Sequence, residues 1–243
     1  MILYNEGKTI KEEIKSFLNQ TRVPDEIVIV DSLSKDNTAR IIKSFKNRKI
    51  KLIEKKADIG TGRNIAIKKA KHEIILVTDG GCILDKNWVK EMMKPFEEKN
   101  ADVVGGIFLP LTKNVFEKSQ GVVICKSPKE IDEKKFIPSS RSFGFKKSVW
   151  QNVGGYPKHE IGGEDTRFVL NIINQGYKMT ITKKAVVYWR MRSFKNFLRQ
   201  FYLYAKGEVR SGNLKFPQMR PVLIASILFP IYLLILFFTS VFF

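Results

Sequence analysis

Residues 1–110 alternate short apolar runs with amphipathic stretches, and that alternation restricts the fold more than any other feature of this 243-residue chain. The stretch "KTIKEEIKSFLNQ" puts Ile10, Ile14, Phe17 and Leu18 on one helical face. "DEIVIVD" follows as a buried strand ending on Asp31, and "DNTARIIKSFKN" is again helical, opened by Asp36 or Asn37 as a cap. A strand "IKLIEK", a helix "GRNIAIKKAKH", a strand "EIILVTD", a helix "NWVKEMMKPFEEK" and a strand "ADVVGGIF" complete the series. Strands and helices in this order argue for an α/β fold with a mostly parallel sheet covered by helices on both faces. Ligands of such sheets bind outside the carboxyl ends of the strands. Asp31 and Asp79 both stand at such ends. "MILY" supplies only the tail of a strand before the polar turn "NEG", so the first strand is expected to be very short or to begin earlier in a longer chain.

Past residue 110 the pattern loosens. Residues 112–140 are polar and irregular and are expected to form a mobile loop over the site. After "SFGFKKSVWQNVGGYP" and "GGEDTRFVLNII" comes a basic aromatic stretch, "SFKNFLRQFYLYAKGEV". Here Phe194, Phe197, Phe201 and Tyr204 recur near helical spacing with Lys195, Arg199 and Lys206 between them, the pattern of a helix lying in a membrane interface. Residues 221–243, "PVLIASILFPIYLLILFFTSVFF", carry no charged side chain. As a helix they would reach roughly 33 Å, against about 30 Å of bilayer hydrocarbon. A transmembrane helix is expected there. Arg210, Lys215 and Arg220 on its N-terminal flank place the preceding domain in the cytoplasm, at the cell membrane. The N-terminus turns polar at once and reads as no secretory signal.

A hydrophobic content of 44% with 12% aromatics excludes a disordered chain. The net charge of +19 favours polyanions, whether nucleic acid, anionic lipid or phosphorylated small molecules, unless the lysines serve only to solvate the surface. Cys82 and Cys125 form neither a disulfide framework nor a metal-ligand spacing.

The ordered motifs resemble a known family. "YNEGKTIKEEIKSFLNQTRVPDEIVIVDSLSKDNT" is similar to the nucleotide-binding half of family-two inverting glycosyltransferases, which have the GT-A fold. "GRNIAIKKAKHEIILVTDGGC" resembles the family's Arg-Asn helix and metal-binding strand end, and "GGEDTRF" its Glu-Asp pair. The resemblance covers roughly residues 1–190. It implies a GT-A unit over residues 1–192, with a nucleotide-sugar half (1–110) and an acceptor half (111–192), before the interfacial segment (193–220) and the membrane span (221–243).

The resemblance also assigns roles. Asp165 would be the base that deprotonates an acceptor hydroxyl, with Glu164 supporting the site. Standing near a helix N-terminus favours the ionised form of Asp165. Tyr4, Glu6 and Asp31 would hold the nucleoside of a nucleoside-diphosphate sugar, and Arg63 would lie near its base and diphosphate. The family's strand end is usually Asp-x-Asp, whereas here it is Asp79-Gly80-Gly81. Asp79 would then be the one carboxylate from this strand end to hold a divalent cation, Mg²⁺ or Mn²⁺, completed by donor phosphates and water, or else would contact the sugar or ribose of the donor. The glycines would let the backbone approach the diphosphate. "RQFYLYAKGE" stands where processive synthases carry Gln-x-x-Arg-Trp, so a non-processive enzyme is expected, with a lipid-linked or glycan acceptor and no nucleic-acid partner. Two alternatives stand beside it: a nucleotidyltransferase on a related sheet, and a membrane-tethered polyanion-binding module without catalysis.

Overall fold

The computed structural model describes residues 1–158, 162–210, 212–215 and 219. Three parallel strands form a first sheet: β1 (Ile2–Leu3), β2 (Ile27–Asp31) and β3 (Ile50–Glu54), in that spatial order. β1 is as short as "MILY" suggests. Helix α1 (Ile10–Leu18) precedes β2 and buries Ile10, Ile14 and Phe17, the face marked by their spacing, together with Glu13. α2 (Thr38–Ser44) follows, with Asp36 Oδ1 rather than the Asn37 side chain accepting from Thr38 N–H at 3.0 Å. α3 (Ile59–Lys69) is opened by Asp58, which accepts from Thr61 N–H at 2.8 Å, a cap worth about 1 kcal/mol. A Cβ on Gly60 in its first turn would stand 1.9 Å from the carbonyl oxygen of Pro157. The glycine costs helix propensity and gains a close approach between distant parts of the chain.

A second sheet holds β4 (Ile74–Val77), β5 (Cys82–Leu84), β6 (Val103–Leu111), β7 (Phe143–Lys146) and β8 (Met179–Arg190), in the order β4-β7-β6-β8-β5. Only β6 and β8 pair in parallel, while β4–β7, β6–β7 and β5–β8 are antiparallel. The expectation of a mostly parallel sheet therefore holds for the first sheet and is corrected for the second, which is mixed. After β4 the chain reverses at Gly80 and Gly81, and β5 finds its partner in β8 at the opposite edge. β6 crosses residue 110 and pairs with both β7 and β8, so the expected halves share a sheet. Its register shifts between Gly105 and Ile107, where Gly106 N–H donates to the Ser142 carbonyl at 2.9 Å.

Helix α4 (Trp88–Glu98) packs its buried Trp88, Val89 and Met92 with α1 and with Val187 of β8. A second cluster joins Phe143 and Phe145 of β7 to Tyr156 and to Phe168 and Ile172 of α7 (Glu164–Asn174). The expected mobile loop at residues 112–140 contains a helix, α5 (Val115–Ile124), and α6 (Lys147–Asn152) follows β7. A cavity of about 180 Å³ lies between β2 and β4, lined by Ile27, Val28, Ile75 and Val77, on the flank of α3.

α8 (Phe194–Arg210) is the expected basic aromatic helix. Phe194 (61%), Leu198, Tyr202 and Val209 are exposed along it, and Phe194 and Phe197 meet Phe116 of α5 edge-on. Among the described residues no helix is long and apolar enough to cross a membrane. The expected span, residues 221–243, lies outside them, as do residues 211, 216–218 and 220 of the interfacial segment.

Candidate active site

The chain leaves β4 through Thr78 and Asp79 and turns at Gly80 and Gly81 before β5. Gly81 has a φ of +78°, which L side chains rarely adopt, yet a Cβ there would meet nothing within 4 Å. Turn geometry demands this glycine. At Gly80 a Cβ would stand 3.0 Å from Leu3 Cδ2 and 3.2 Å from Glu6 Oε1, so the turn is packed against the end of β1. Gly81 N–H donates to Glu13 Oε1 at 3.0 Å, and its carbonyl accepts from Arg190 N–H at 3.1 Å.

α3 brings Arg63, only 4% exposed, between two carboxylates. Nη1 donates to Glu164 Oε1 and Nη2 to Asp79 Oδ1, each at 2.6 Å. One buried cation thus ties the end of β4 to the first residue of α7. Burial works against charge on Asp79, but Arg63 and then Arg141 outweigh it and hold the carboxyl below its ordinary range. At Glu164 burial wins and raises the carboxyl, with Arg63 opposing and Asp165 adding to the rise. Gly163, at φ 79°, opens α7. Asp165 in its first turn is partly exposed and accepts from Thr166 N–H at 2.9 Å. It is the freer carboxylate, since Arg63 engages Glu164.

The remaining expected donor residues divide. Glu6 turns toward the Gly80 turn, with Oε2 accepting from the Thr9 hydroxyl at 2.8 Å, and burial raises its carboxyl. Tyr4 is 53% exposed beyond β1. Asp31 is buried at the end of β2 and accepts from Ser34 N–H at 3.2 Å and from the Ser34 hydroxyl. Among the described residues neither Tyr4 nor Asp31 bonds to the Asp79–Arg63–Glu164 group through its side chain.

Several residues outside the expected set also build the site. Asn64 Oδ1 accepts from Trp150 Nε1 at 2.8 Å and Tyr156 N–H at 2.9 Å, while Nδ2 donates to the Tyr156 carbonyl at 2.7 Å. Tyr156 stacks on Phe168, 4.0 Å between ring centroids, and its hydroxyl lies 3.0 Å from Ser140 Oγ. Arg141 lies over Trp189, its guanidinium carbon 3.9 Å from the ring centroid. Asn64 was marked only as half of the Arg-Asn pair, and Ser140, Arg141, Tyr156 and Trp189 had no signal of their own in the sequence.

Glu13 is fully buried and its Oε2 finds no hydrogen-bond partner. Burial pushes its carboxyl from 4.5 up to about 7; Glu6 adds to the rise, while Thr9, Gly81 N–H and Arg190 oppose it. The folded state therefore keeps a proton that the unfolded chain releases at lower pH. The stability is full below the unfolded pKa and falls as pH rises through the folded one, by about 3 kcal/mol in all. Glu13→Gln keeps the acceptor for Gly81 and removes the titration. Thermal melts across this pH interval should show the variant gaining on the parent as pH rises. A difference in Tm that does not change with pH would exclude this account.

Among the described residues no three His, Cys, Asp or Glu side chains converge as a metal site. Asp79 offers Oδ2, which has no side-chain partner among the described residues, while Arg63 occupies Oδ1. One free carboxylate oxygen fits an ion that takes its other ligands from phosphates and water.

A family profile described as "Glycosyl transferase family 2" matches residues 1–156. The O-antigen chain rhamnosyltransferase RfbN of Salmonella typhimurium is 29% identical over 197 residues, covering 76% of this chain and 63% of the relative. The chain thus spans a little under two thirds of that protein's length. Residues 1–349 of Staphylococcus aureus TarS, in complex with UDP-GlcNAc, superpose with a TM-score of 0.66 at 19% identity, over 79% of this chain and 57% of that fragment. The mannosyltransferase PcManGT of Pyrobaculum calidifontis, in complex with GDP-Man and Mn²⁺, gives 0.67 at 19% identity, over 93% and 67% of the two chains. At these identities the superpositions establish the fold, which is GT-A-like with a mixed sheet and flanking helices.

Proposed function

The chain belongs to glycosyl transferase family 2, and on that footing we propose that it transfers a sugar from a nucleoside-diphosphate sugar to an acceptor hydroxyl, with inversion and without processive growth. The observation that carries this reading is Asp165, which has no ion pair among the described residues and stands at the start of α7 beside a neighbour that Arg63 holds fast. A carboxylate so placed can take the proton of a hydroxyl as its oxygen attacks the anomeric carbon. The bond from that carbon to the diphosphate breaks, and the nucleoside diphosphate leaves. Glu164, through Arg63, keeps the two strand-end and helix-end carboxylates in register with each other.

Tyr4 and Asp31, at the ends of β1 and β2, suit the nucleoside, and Glu6 lies against the Gly80 turn. Asp79 Oδ2 would hold Mg²⁺ or Mn²⁺ together with donor phosphates; that ion, when bound, offsets charge on the departing diphosphate. The named relatives use different sugars, so the donor is left as a class, and the acceptor as a lipid-linked or glycan hydroxyl. We further place the protein at the cytoplasmic face of the cell membrane. The exposed apolar side chains of α8, its lysines and arginines, and the charge-free stretch 221–243 support that placement.

Incubation with UDP-, GDP- and dTDP-sugars, Mn²⁺ and a lipid-linked or glycan acceptor should release nucleoside diphosphate and give a product inverted at the anomeric carbon. Release of pyrophosphate would assign a nucleotidyltransferase instead. Salt-sensitive binding of nucleic acid without nucleotide-sugar binding would assign a polyanion-binding module.

A further inference from the structure

Two arginines approach the Asp79 turn, and their surroundings differ. Arg63 lies between two carboxylates. Arg141 touches none among the described residues. Nη1 donates to Ser139 Oγ at 2.9 Å and Nη2 to the Tyr204 hydroxyl at 2.7 Å, while the Trp189 and Phe108 rings lie 3.9 and 5.1 Å from its guanidinium carbon. Its Nε–H is buried and meets no acceptor. Burial opposes its charge, and Tyr204, Asp79, Cys82 and Asp165 sustain it through space. A guanidinium with neutral partners and an unused buried N–H is short of an anion.

The placement of Arg141 is fixed from both sides. Ser140 on one side shares a hydrogen bond with the buried Tyr156 hydroxyl. On the other, Ser142 Oγ accepts from Trp88 Nε1 at 2.8 Å and donates to the Ala185 carbonyl at 3.2 Å. The Ser142 carbonyl is held by Gly106 N–H at the β6 irregularity, and Ser142 N–H closes the turn on the Ser139 carbonyl at 3.0 Å. Trp189, beneath the guanidinium, is in register with Cys82, just past the Asp79 turn. So a cation without an ion pair among the described residues is locked over Phe108 of β6 and Trp189 of β8, and Trp189 pairs with the strand that follows the Asp79 turn.

We propose that Arg141 binds the donor's diphosphate, its planar fork taking phosphoryl oxygens and meeting the negative charge that the leaving nucleoside diphosphate gains. The proposal rests on the glycosyltransferase reading above. Tyr204 is its positioning residue: the hydroxyl accepts from Arg141 and from Gln200 Nε2, at 2.7 and 2.5 Å, and so holds the guanidinium from α8.

The test is calorimetric titration of the full chain in detergent, with uridine, guanosine and thymidine diphosphates, with the three free nucleosides and with a short-chain polyprenyl diphosphate. Arg141→Gln should weaken the preferred diphosphate about 10- to 100-fold and leave the nucleoside unchanged. Arg141→Lys, which keeps the charge and loses the fork, should fall between them, and Tyr204→Phe should lose less than Arg141→Gln with the same bias against the diphosphate. A purely structural Arg141 would weaken nucleoside and diphosphate together, and that result overturns the proposal. Loss confined to a short-chain polyprenyl diphosphate, with nucleoside diphosphate binding intact, overturns it as well and assigns the anion to the acceptor. If the parent protein binds neither nucleosides nor their diphosphates, the glycosyltransferase reading falls and this proposal with it. If parent and Arg141→Gln bind diphosphate equally, only this proposal falls.

Discussion

Asp165→Asn is expected to lower turnover by about 10²- to 10⁴-fold, the usual contribution of a positioned general base. The amide keeps the size of the side chain and an oxygen for Thr166 N–H, so α7 should start as before. Donor binding should be nearly unchanged, because the ion group that holds the Asp79 turn runs through Glu164 and not through Asp165. Initial rates at saturating donor, alongside calorimetric affinity for the nucleoside diphosphate, separate the two effects. A variant that keeps most of its turnover would remove Asp165 from the chemistry.

Arg63→Met should cost about 3–5 kcal/mol of stability, since it leaves two carboxylates without the cation between them. In the parent, Arg63 depresses the Asp79 carboxyl, so that stabilisation is present above the unfolded pKa and is lost as pH falls through the folded one. In the variant both carboxyls are raised by burial, and stability instead falls as pH rises. The gap between parent and variant should therefore widen from acid to neutral pH. Adding Glu164→Gln to Arg63→Met should recover part of the loss by removing one stranded charge. Denaturant melts at several pH values measure both effects. A gap independent of pH, or a further loss on adding Glu164→Gln, would show that Arg63 acts by packing alone.

The strand ends were legible because a buried strand announces itself as an apolar run, and a carboxylate after such a run has few other uses. Asp31 and Asp79 were found in this way, and the start of α7 from "GGED" before an amphipathic stretch. β5 was not legible, since Cys82–Leu84 is a strand only through its pairing with distant β8. Nothing local in "FGFK" says that β7 runs antiparallel to both neighbours. α5 escaped because Val115, Val122 and Val123 face outward, which erases the apolar period. It is held instead by the Asn114 cap on Glu117 N–H at 2.9 Å and by Gln120, which bonds the backbone of Arg192 in both directions. Arg141 was one of 43 lysines and arginines, and its distinction lies in Ser140, Ser142 and Trp189, which only the fold brings to it.

Arg63 and Asn64 are neighbours on one turn of α3, yet one holds Glu164 and the other holds Trp150 and Tyr156. Recombination between relatives meets this dipeptide as a lock with two keys. A chimera joined near residue 110 takes the lock from one parent and both keys from the other, and it must match at each to fold. Exchanging only the short segments around Tyr4 and Asp31 disturbs neither, so changes of donor nucleoside should travel more readily through those segments than through whole halves. Melting temperatures of half-exchanged and segment-exchanged chimeras would register the difference directly, with the segment exchanges staying close to the parent.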